Sequence, residues 1–194
     1  MGSLEVICGP MFSGKTEELI RRLKRAVIAR RRVQIFKPRL DSRYDPDAVV
    51  SHSAQKMRST VVDSASEILP LLAQDVEVVG IDEVQFLGPE VASVCNKLAD
   101  RGLRVIVAGL DLDFRGEPFE PMPQLLARAE YITKELAICV VCGQAASRSQ
   151  RTIATEDRVV VGAGDVYEPR CRACFSPEPR PATTPPEQAL LPFR

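Results

Sequence analysis

The stretch Gly9-Pro-Met-Phe-Ser-Gly-Lys-Thr16 decides the fold class, because it matches the pattern G-x-x-x-x-G-K-[ST] in the required context. An apolar run at residues 3–8 precedes it, and residues 14–31 follow with apolar side chains at helical spacing. In a loop between a strand and a helix, backbone N–H groups surround a phosphate and the helix N-terminus adds positive potential. We therefore expect Lys15 to bridge the β- and γ-phosphates and the Thr16 hydroxyl to bind Mg²⁺. A chance glycine-rich turn is the alternative, and the flanking pattern disfavours it.

Outward from this loop, apolar and amphipathic segments alternate along the chain. This alternation predicts an α/β fold of the P-loop NTPase type, in which helices flank a mostly parallel sheet. The nearly continuous apolar strands also indicate burial on both faces. Residues 39–60 are polar and irregular, so we expect them to form a long loop. The predicted strands lie at 3–8, 33–37, 76–82, 103–108 and 131–137, and the predicted helices at 14–31, 64–73, 89–101 and 124–129.

Two adjacent acids end the third predicted strand. The run Val78-Val-Gly-Ile-Asp82-Glu83 places Asp82 at the carboxyl edge of the sheet, beside the phosphate loop. Asp82 is therefore the expected partner of Mg²⁺. Because side chains alternate along a strand, we expect Glu83 to face a different part of the cleft and to serve as a general base. The alternative for Glu83 is a solvated acid at the end of a loop.

Four of the six cysteines form two pairs, Cys139-x-x-Cys142 and Cys171-x-x-Cys174, which are separated by 28 residues. Two such pairs predict one tetrahedral site of four thiolates, suited to a structural Zn²⁺ ion because no ligand position remains for a substrate. A redox pair or two disulfides are the alternatives, and a reducing compartment disfavours both. The other two thiols lie in apolar surroundings, so we expect them to be buried.

The composition excludes several classes of protein. The chain has 194 residues, with 26 Lys and Arg against 26 Asp and Glu, so its formal net charge is zero. A generally basic nucleic-acid coat is not expected, although residues 21–43 hold ten Lys or Arg and one acid. No apolar run approaches the roughly 18 residues of a membrane helix, and the N-terminus lacks the features of a signal peptide. We expect a cytoplasmic protein that binds neither membrane nor nucleic acid.

Several segments together resemble the type II thymidine kinases, the cellular and bacterial kind. The phosphate loop is similar to that family's own variant, and further motifs follow in the family's order over residues 3–175, with the cysteine quartet among them. Their number and order are far more specific than the phosphate loop alone. The motifs are Asp41-Ser-Arg-Tyr44, Asp82-Glu-Val-Gln-Phe86, Gly109-Leu-Asp-Leu-Asp-Phe-Arg-Gly116 with Pro118-Phe119, Ser147-Arg-Ser-Gln-Arg151 and Gly162 to Tyr167.

The resemblance implies a reaction and the residues for it. It implies transfer of the ATP γ-phosphate to the 5′-hydroxyl of thymidine, and also of deoxyuridine, with dTMP as the thymidine product in nucleotide salvage. Glu83 matches the family's catalytic base. Matches to ATP- and phosphate-binding positions are Gly9, Pro10, Met11, Phe12, Ser13, Gly14, Lys15, Thr16, Arg43, Asp82 and Gln85, of which Thr16 and Asp82 join Asp41 at the Mg²⁺. Matches to substrate-binding positions are Met11, Leu110, Phe114, Phe119, Ser149, Val161, Gly162 and Tyr167.

The resemblance also gives meaning to the division of the chain. Residues 1–137 form the expected nucleotide-binding domain, and residues 138–175 form a zinc-binding subdomain whose lasso loop binds the base edge through main-chain groups. The proline-rich tail at 176–194 is predicted to be disordered. Ser149 stands where a threonine is usual, and Val161-Gly-Ala-Gly164 varies a common Gly-Gly pattern. Family members commonly form homotetramers that thymidine triphosphate inhibits, so we expect both properties here.

One alternative function from another class stays open. A P-loop ATPase with a zinc ribbon that binds nucleic acid or a partner protein would suit the basic residues 21–43 and the cysteine quartet. It predicts salt-dependent DNA binding and ATP hydrolysis that DNA stimulates.

Overall fold

The structure is a computed structural model, and it describes residues 2–40, 48–50, 56–155 and 166–178. Its strands are β1 (Ser3–Cys8), β2 (Val33–Pro38), β3 (Ala48–Val50), β4 (Lys56–Arg58), β5 (Thr60–Val62), β6 (Val78–Ile81), β7 (Arg104–Gly109), β8 (Tyr131–Lys134), β9 (Ala137–Ile138), β10 (Ala145–Ala146), β11 (Arg148–Arg151) and β12 (Tyr167–Arg170). Its helices are α1 (Lys15–Ile28), α2 (Ile68–Leu71), α3 (Val91–Asp100) and α4 (Met122–Arg128), with 3-10 turns at Ala65–Glu67 and Val84–Phe86.

Six strands form one sheet in the order β5-β2-β6-β7-β1-β8, and every neighbouring pair is parallel. Parallel neighbours require crossover connections, which here place helices against the sheet. The predicted α/β fold of the P-loop NTPase type is therefore confirmed. None of the helices in the described ranges is long and apolar enough to cross a membrane.

Helices cover both faces of the sheet, and β7 shows how its residues divide between them. Val105 and Val107 belong to the apolar cluster that contains residues of α3 and α4, whereas Ile106 and Ala108 belong to the cluster around α1. Consecutive side chains of a strand point to opposite faces, so an uninterrupted apolar run is what a doubly covered strand needs. Each fully buried large aliphatic side chain contributes about 1.5–3 kcal/mol, which makes these clusters the main source of stability.

Helix α1 packs closely on the sheet and thereby fixes the loop that precedes it. Its buried face consists of Leu19, Ile20, Leu23 and Ala26. A Cβ atom on Gly80 of β6 would lie 2.7 Å from Leu23 Cδ1, so the glycine lets the helix approach the strand. The start of α1 is thus held over the carboxyl ends of the strands, the edge where ligands bind in folds of this type.

Several predicted boundaries are wrong. The loop predicted at 39–60 includes the antiparallel pair β3–β4, and β5 follows as an edge strand parallel to β2. Strands of three residues are too short to show a period in the sequence. The helix predicted at 64–73 is a 3-10 turn followed by the single turn of α2. The strand predicted at 131–137 ends at Lys134, because its partner strand ends opposite it at Cys8.

A second, smaller region follows the main sheet. Strands β9 and β10 form one antiparallel pair, and β11 and β12 form another. We call residues 137–155 and 166–178 the cysteine region and the described residues before 137 the sheet region. The beginning of the predicted tail is tied to β11, because Ser176 N–H donates to Gln150 Oε1 at 2.8 Å. Residues 179–194 of that tail lie outside the described residues, and the domain boundaries stay a prediction.

Candidate active site

The phosphate loop turns sharply between β1 and α1. Gly9 has a φ of 144° and Gly14 a φ of 85°, and both values lie in the range that favours glycine. At Gly9 there is also no room for a side chain, since a Cβ atom would lie 2.2 Å from the carbonyl oxygen of Glu135. Helix α1 begins at Lys15, so its unpaired N-terminal N–H groups open onto the loop and favour an anion there.

The middle of the loop contacts the cysteine region. The Met11 N–H donates to Ser149 Oγ at 3.0 Å. Phe12, which has a φ of 63°, packs against the small apolar cluster of the cysteine region. The Ser13 hydroxyl closes the loop from inside by donating to the Pro10 carbonyl at 2.8 Å. The phosphate loop is therefore supported by both regions.

Lys15 lies inside the loop, with Nζ donating to the Pro10 carbonyl at 2.6 Å. Burial lowers the pKa of Lys15 below its ordinary value, and the carboxylates of Glu83, Asp82 and Asp111 oppose that shift. An ammonium that uses a loop carbonyl as its acceptor is well placed to bind phosphate oxygens in place of that carbonyl.

Thr16 and Asp82 lie side by side at the carboxyl edge of the sheet. The Thr16 hydroxyl donates to the Asp82 carboxylate, with distances of 3.1 Å to Oδ2 and 3.4 Å to Oδ1. Asp82 directly follows β6 and is buried. A hydroxyl and a carboxylate oxygen are ligands that Mg²⁺ accepts, so this pair fits the cation that accompanies ATP. The structure brings the two residues together, and their metal-binding role stays a prediction.

Glu83 is oriented by its backbone and not by strand alternation. Strand β6 ends at Ile81, and Glu83 has a φ of 46° and a ψ of 41°, in the left-handed region, just before the 3-10 turn. The prediction that strand alternation orients the Glu83 side chain is therefore wrong, because Glu83 lies beyond the strand. A left-handed residue other than glycine is uncommon and is often found at functional sites.

Gln85 holds Glu83 in place. Its Nε2 donates to Glu83 Oε2 at 2.5 Å, and its Oε1 accepts the Leu110 N–H at 3.1 Å. Gly109 leaves room for this amide, because a Cβ atom there would lie 2.6 Å from Gln85 Oε1. The predicted contact of Gln85 with ATP stays a prediction. In the structure, Gln85 instead links Glu83 to Leu110, the residue that follows β7.

The loop after β7 carries three of the predicted pocket residues, Leu110, Phe114 and Phe119. Asp113 Oδ1 accepts the N–H groups of Arg115 at 2.9 Å and of Glu117 at 3.1 Å, which folds the loop on itself. Both ring-bearing residues of the loop, Phe114 and Phe119, are buried. The loop is thus a rigid support for two aromatic side chains.

The predicted pocket residues meet through an arginine that the sequence analysis did not assign. Arg151 Cζ lies 3.5 Å from the ring centroid of Phe114, and Arg151 Nη2 donates to the Tyr167 hydroxyl at 2.9 Å. Phe119 packs edge-on against Phe86, with ring centroids 6.0 Å apart. Arg151 lies in a quoted motif, but its contacts come from chain segments too far away in sequence to suggest them.

An ion pair at the carboxyl edge of the sheet was also not predicted from the sequence. Lys134 Nζ lies 2.6 Å from Asp111 Oδ2, so the pair joins β8 to the loop after β7 across the end of β1. Cys8, at that end of β1, is buried. Burial, and then the Asp111 carboxylate, raises the pKa of the Cys8 thiol to about 11, so the thiol is neutral and unreactive at pH 7. Burial likewise raises the pKa of Cys95 to about 12.

The four paired cysteines converge on one point. Their Sγ atoms all lie within 4.8 Å of one another, with 3.6 Å between Cys142 and Cys171, and none of the four forms a disulfide. Four thiolates bound to Zn²⁺ at about 2.3 Å in a tetrahedron stand about 3.8 Å apart, so the group fits zinc. All four positions are protein ligands, which leaves none for a substrate. The residues of this quartet are Cys139, Cys142, Cys171 and Cys174.

Four predicted site residues, Asp41, Arg43, Val161 and Gly162, lie outside the described residues. The basic stretch at 21–43, in contrast, is largely described. Its arginines form ion pairs with acids on several elements, so much of its charge is neutralised within the chain. The pairs are Arg21–Glu18, Arg22–Glu18, Arg22–Glu5, Arg31–Glu77, Arg32–Asp75 and Arg39–Asp63.

Known proteins resemble this chain over most of its length. The model of a family described as thymidine kinase matches residues 2–175. A thymidine kinase of Rhodothermus sp. is 61% identical over 184 residues, covering 95% of this chain and 85% of that protein. Thymidine kinases of Bdellovibrio bacteriovorus and Bacteroides thetaiotaomicron are 56% and 55% identical over 91% and 90% of this chain and 87% of each relative. Among solved structures, the Legionella pneumophila ATPase DotB gives a TM-score of 0.46 at 14% identity, over 74% of this chain and 43% of that one, which is too low to support a conclusion.

Proposed function

Because this chain belongs to the thymidine kinase family, we propose that it transfers the γ-phosphate of ATP to the 5′-hydroxyl of thymidine, giving dTMP, and that it also accepts deoxyuridine. The observation that carries this proposal is the cluster at the end of β6. There, Asp82 meets the phosphate-loop Thr16 at 3.1 Å, and the adjacent Glu83 is held by Gln85 at 2.5 Å. Adjacent carboxylates thus have different partners, which supports a separate role for each: Asp82 at the phosphates and Glu83 at the nucleoside.

The phosphate loop binds and orients ATP. Its backbone N–H groups and the N-terminus of α1 surround the phosphates, and Lys15 exchanges its bond to the Pro10 carbonyl for phosphate oxygens. Thr16 and Asp82 would hold Mg²⁺, which supplies charge neutralisation to the phosphates when it is bound with ATP. Phosphoryl transfer needs little more from the protein than this positioning and electrostatic stabilisation.

Glu83 is the proposed general base. Its carboxylate accepts the proton of the 5′-hydroxyl as that oxygen attacks the γ-phosphate in line. Two features support the assignment: the left-handed backbone at Glu83 directs the side chain away from the strand, and Gln85 Nε2 fixes one of its oxygens. A positioned base of this kind contributes about 10² to 10⁴ to the rate.

The aromatic pocket is the proposed thymine site. Phe114, Phe119 and Tyr167 provide buried rings. Leu110 donates its N–H to Gln85, which also contacts Glu83, and Met11 lies in the phosphate loop. A flat base with a methyl group suits such walls. We propose that main-chain groups at Val161 and Gly162, outside the described residues, bind the base edge. Buried polar groups of that kind discriminate strongly, because a wrong base leaves them unpaired.

Zinc, assembly and location complete the proposal. The four thiolates hold a structural Zn²⁺ that anchors both ends of the segment between the cysteine pairs. A homotetramer, inhibition by thymidine triphosphate and action in the cytoplasm follow from the family resemblance, as do the roles of Asp41 at the Mg²⁺ and of Arg43 at the phosphates. The ion pairs within the stretch 21–43 disfavour the alternative of a nucleic-acid-dependent ATPase.

The test is a phosphorylation assay with radiolabelled thymidine, deoxyuridine, deoxycytidine and deoxyadenosine, each with Mg-ATP and zinc-replete protein. We expect product with thymidine, a lower or equal rate with deoxyuridine that measures the methyl contact, and little product with the other two. Absence of product with all four nucleosides would overturn the proposal. DNA-stimulated release of phosphate in the same preparation would then identify the ATPase alternative.

A further inference from the structure

One arginine lies entirely inside the protein. Arg151 has 0% of its surface exposed and is the bulkiest of the fully buried side chains in the described residues. Arginine is seldom fully buried, because the desolvation of its charge costs free energy unless its donors and its charge are used. A guanidinium in this position therefore calls for a specific task.

Its contacts are with the walls of the proposed base pocket. The guanidinium carbon lies 3.5 Å from the centroid of Phe114 and 5.5 Å from that of Tyr167. Nη2 donates to the Tyr167 hydroxyl at 2.9 Å, and Nη1 donates to the Thr155 carbonyl at 3.3 Å. One planar group thus makes a cation–π contact with one ring and a hydrogen bond to the substituent of another.

The two rings come from different regions of the molecule. Phe114 belongs to the loop after β7 in the sheet region, whereas Tyr167 pairs with Arg151 across the β11–β12 ladder. Ser149 lies two positions before Arg151 and so shares its face of β11, and its hydroxyl accepts the Met11 N–H of the phosphate loop. One face of a short strand therefore joins the phosphate loop to two of the three rings of the proposed pocket, Phe114 and Tyr167.

We propose that Arg151 is a positioning residue for nucleoside recognition: it fixes the rings of Phe114 and Tyr167 and thereby sets the affinity for thymidine without setting that for ATP. The inference rests on the proposed function, because it concerns the base pocket of that reaction. Arg151 is fully buried and contacts both rings, so its proposed action is through them and not on the reacting atoms.

The chemistry of the contacts explains why arginine is needed. A guanidinium is flat enough to stack on Phe114 while its edge donates to the Tyr167 hydroxyl. Lysine keeps the positive charge and can still donate a hydrogen bond, but it lacks the flat guanidinium group that stacks on the ring. Methionine fills the space and leaves the buried Tyr167 hydroxyl without this donor. The two replacements therefore separate the loss of stacking from the loss of the charge.

A purely structural arginine would behave differently from a positioning one. If Arg151 only held the two regions together, its replacement would lower stability and the active fraction of the enzyme, and the KM values for both substrates would stay unchanged or move together. If it positions the base pocket, the KM for thymidine rises while the KM for ATP does not.

The test compares Arg151→Lys, Arg151→Met and Tyr167→Phe with the unchanged enzyme. Arg170→Lys is the matched control, because Arg170 is buried in the same pair of strands and bonds Glu168 at 2.7 Å. For each variant, steady-state assays give KM for thymidine and for ATP, and calorimetry gives the Kd of thymidine. Zinc content and the thermal midpoint establish that each variant is folded.

We expect Arg151→Lys to raise the KM and the Kd of thymidine about tenfold, the size of a buried charged hydrogen bond and stack, with the KM of ATP unchanged within about twofold. Tyr167→Phe raises the thymidine KM less. When the two changes are combined, Arg151→Lys has a smaller effect than it has alone, because both act through one contact. Arg170→Lys leaves the thymidine KM unchanged.

Each other outcome is decisive. An unchanged thymidine KM in a folded Arg151→Lys enzyme, or equal shifts in both KM values, would overturn the inference and leave the proposed function intact. If Arg151→Met does not fold, the thymidine KM values of Arg151→Lys and Tyr167→Phe decide whether the inference holds. If the unchanged enzyme neither binds nor phosphorylates thymidine, the proposed function fails and this role fails with it.

Discussion

The sheet region and the cysteine region are stabilised by different means. Both faces of the sheet bury aliphatic side chains in extended clusters. The corresponding cluster of the cysteine region consists of Ala137, Cys139, Ala146 and Cys171. The buried polar and charged side chains of that region are Ser149, Gln150, Arg151, Glu168, Arg170 and Ser176. A region with so few apolar side chains depends on cross-links for its structure, and here these are polar contacts and the proposed zinc site.

The same contrast between the two regions applies to the two parts of the proposed reaction, phosphoryl transfer and nucleoside binding. Lys15, Thr16, Asp82 and Glu83 all belong to the sheet region and keep their places through its core. The base pocket needs both regions, since Tyr167 lies on β12. Changes in the sheet machinery are therefore expected to stop turnover with thymidine still bound, and changes in the cysteine region to remove nucleoside binding.

The largest difference between the two regions is expected from Cys171→Ala, which removes a thiolate from the cysteine quartet. A structural zinc site contributes on the order of 10 kcal/mol to folding, so we expect the cysteine region to unfold and thymidine phosphorylation to be lost. The sheet region keeps its cooperative unfolding, and ATP binding is weakened but not lost, because the phosphate loop loses its contacts with Ser149 and the small apolar cluster. Zinc analysis, near-ultraviolet circular dichroism and limited proteolysis measure these effects.

Cys95→Ala is the matched control, because Cys95 is a buried thiol of the sheet region that lies outside the quartet. It is expected to cost about 1 kcal/mol of stability through the small cavity and to retain zinc and activity. A Cys171→Ala enzyme that kept full zinc and full activity would show that the quartet does not bind the metal.

A smaller but still large effect is expected from Asp82→Asn. The amide can accept the hydrogen bond of Thr16, but it has lost the negative charge that the cation needs, so turnover falls about a hundredfold. Raising the Mg²⁺ concentration restores part of the rate, and thymidine affinity is unchanged. Asp75→Asn, at an exposed acid, serves as the control. A variant whose Mg²⁺ dependence matched that of the unchanged enzyme would remove Asp82 from the metal site.

Ser149→Ala probes the contact between the regions. The Met11 N–H loses its acceptor at 3.0 Å, which costs about 1–2 kcal/mol and raises the KM of ATP and of thymidine together by about three- to tenfold. Ser149→Thr restores the hydroxyl and is expected to behave like the unchanged enzyme. Steady-state kinetics of the two variants decide the point, and equal kinetics for the alanine and threonine variants would argue against the contact.

The smallest effect is expected for Glu18, in the first turn of α1. Hydrogen bonds from Arg21 and then Arg22 lower the pKa of Glu18 from 4.5 to about 2. The stabilisation is therefore complete above pH 4.5 and is lost as the pH falls through about 2. Glu18→Gln is expected to cost about 1 kcal/mol at pH 7, and the difference from the unchanged enzyme shrinks as the pH drops toward 2. Urea unfolding across this pH range measures it, and a pH-independent difference would contradict the ion pair.

Local features were predictable and distant ones were not. The spacing of residues along the chain predicted the phosphate loop, Asp82 and the cysteine quartet. In the structure, Asp82 contacts the phosphate-loop Thr16, and the four cysteines form a separate cluster. Glu83 was identified as a separate acid, but its left-handed backbone has no signature in the sequence. The β3–β4 pair was missed because each strand is too short to show a period.

Arg151 illustrates a second limit. Its partners lie at positions 114, 155 and 167, and a sequence alone gives no reason to join those segments around one charge. The same limit applies to the basic stretch 21–43. Arg31 pairs with Glu77 and Arg39 pairs with Asp63, and both acids lie outside that stretch. Contacts of this kind follow from the fold, which brings segments that are distant in sequence next to one another.

The division of labour between the two regions rests on Glu83, and Glu83→Gln tests it with the smallest change of structure. The amide can still bond to Gln85, so we expect thymidine and ATP each to bind within about twofold of the unchanged enzyme, while turnover falls by about 10² to 10⁴. Calorimetric binding of both ligands and single-turnover phosphorylation measure the two effects separately. Turnover close to that of the unchanged enzyme would contradict the assignment of Glu83 as the base.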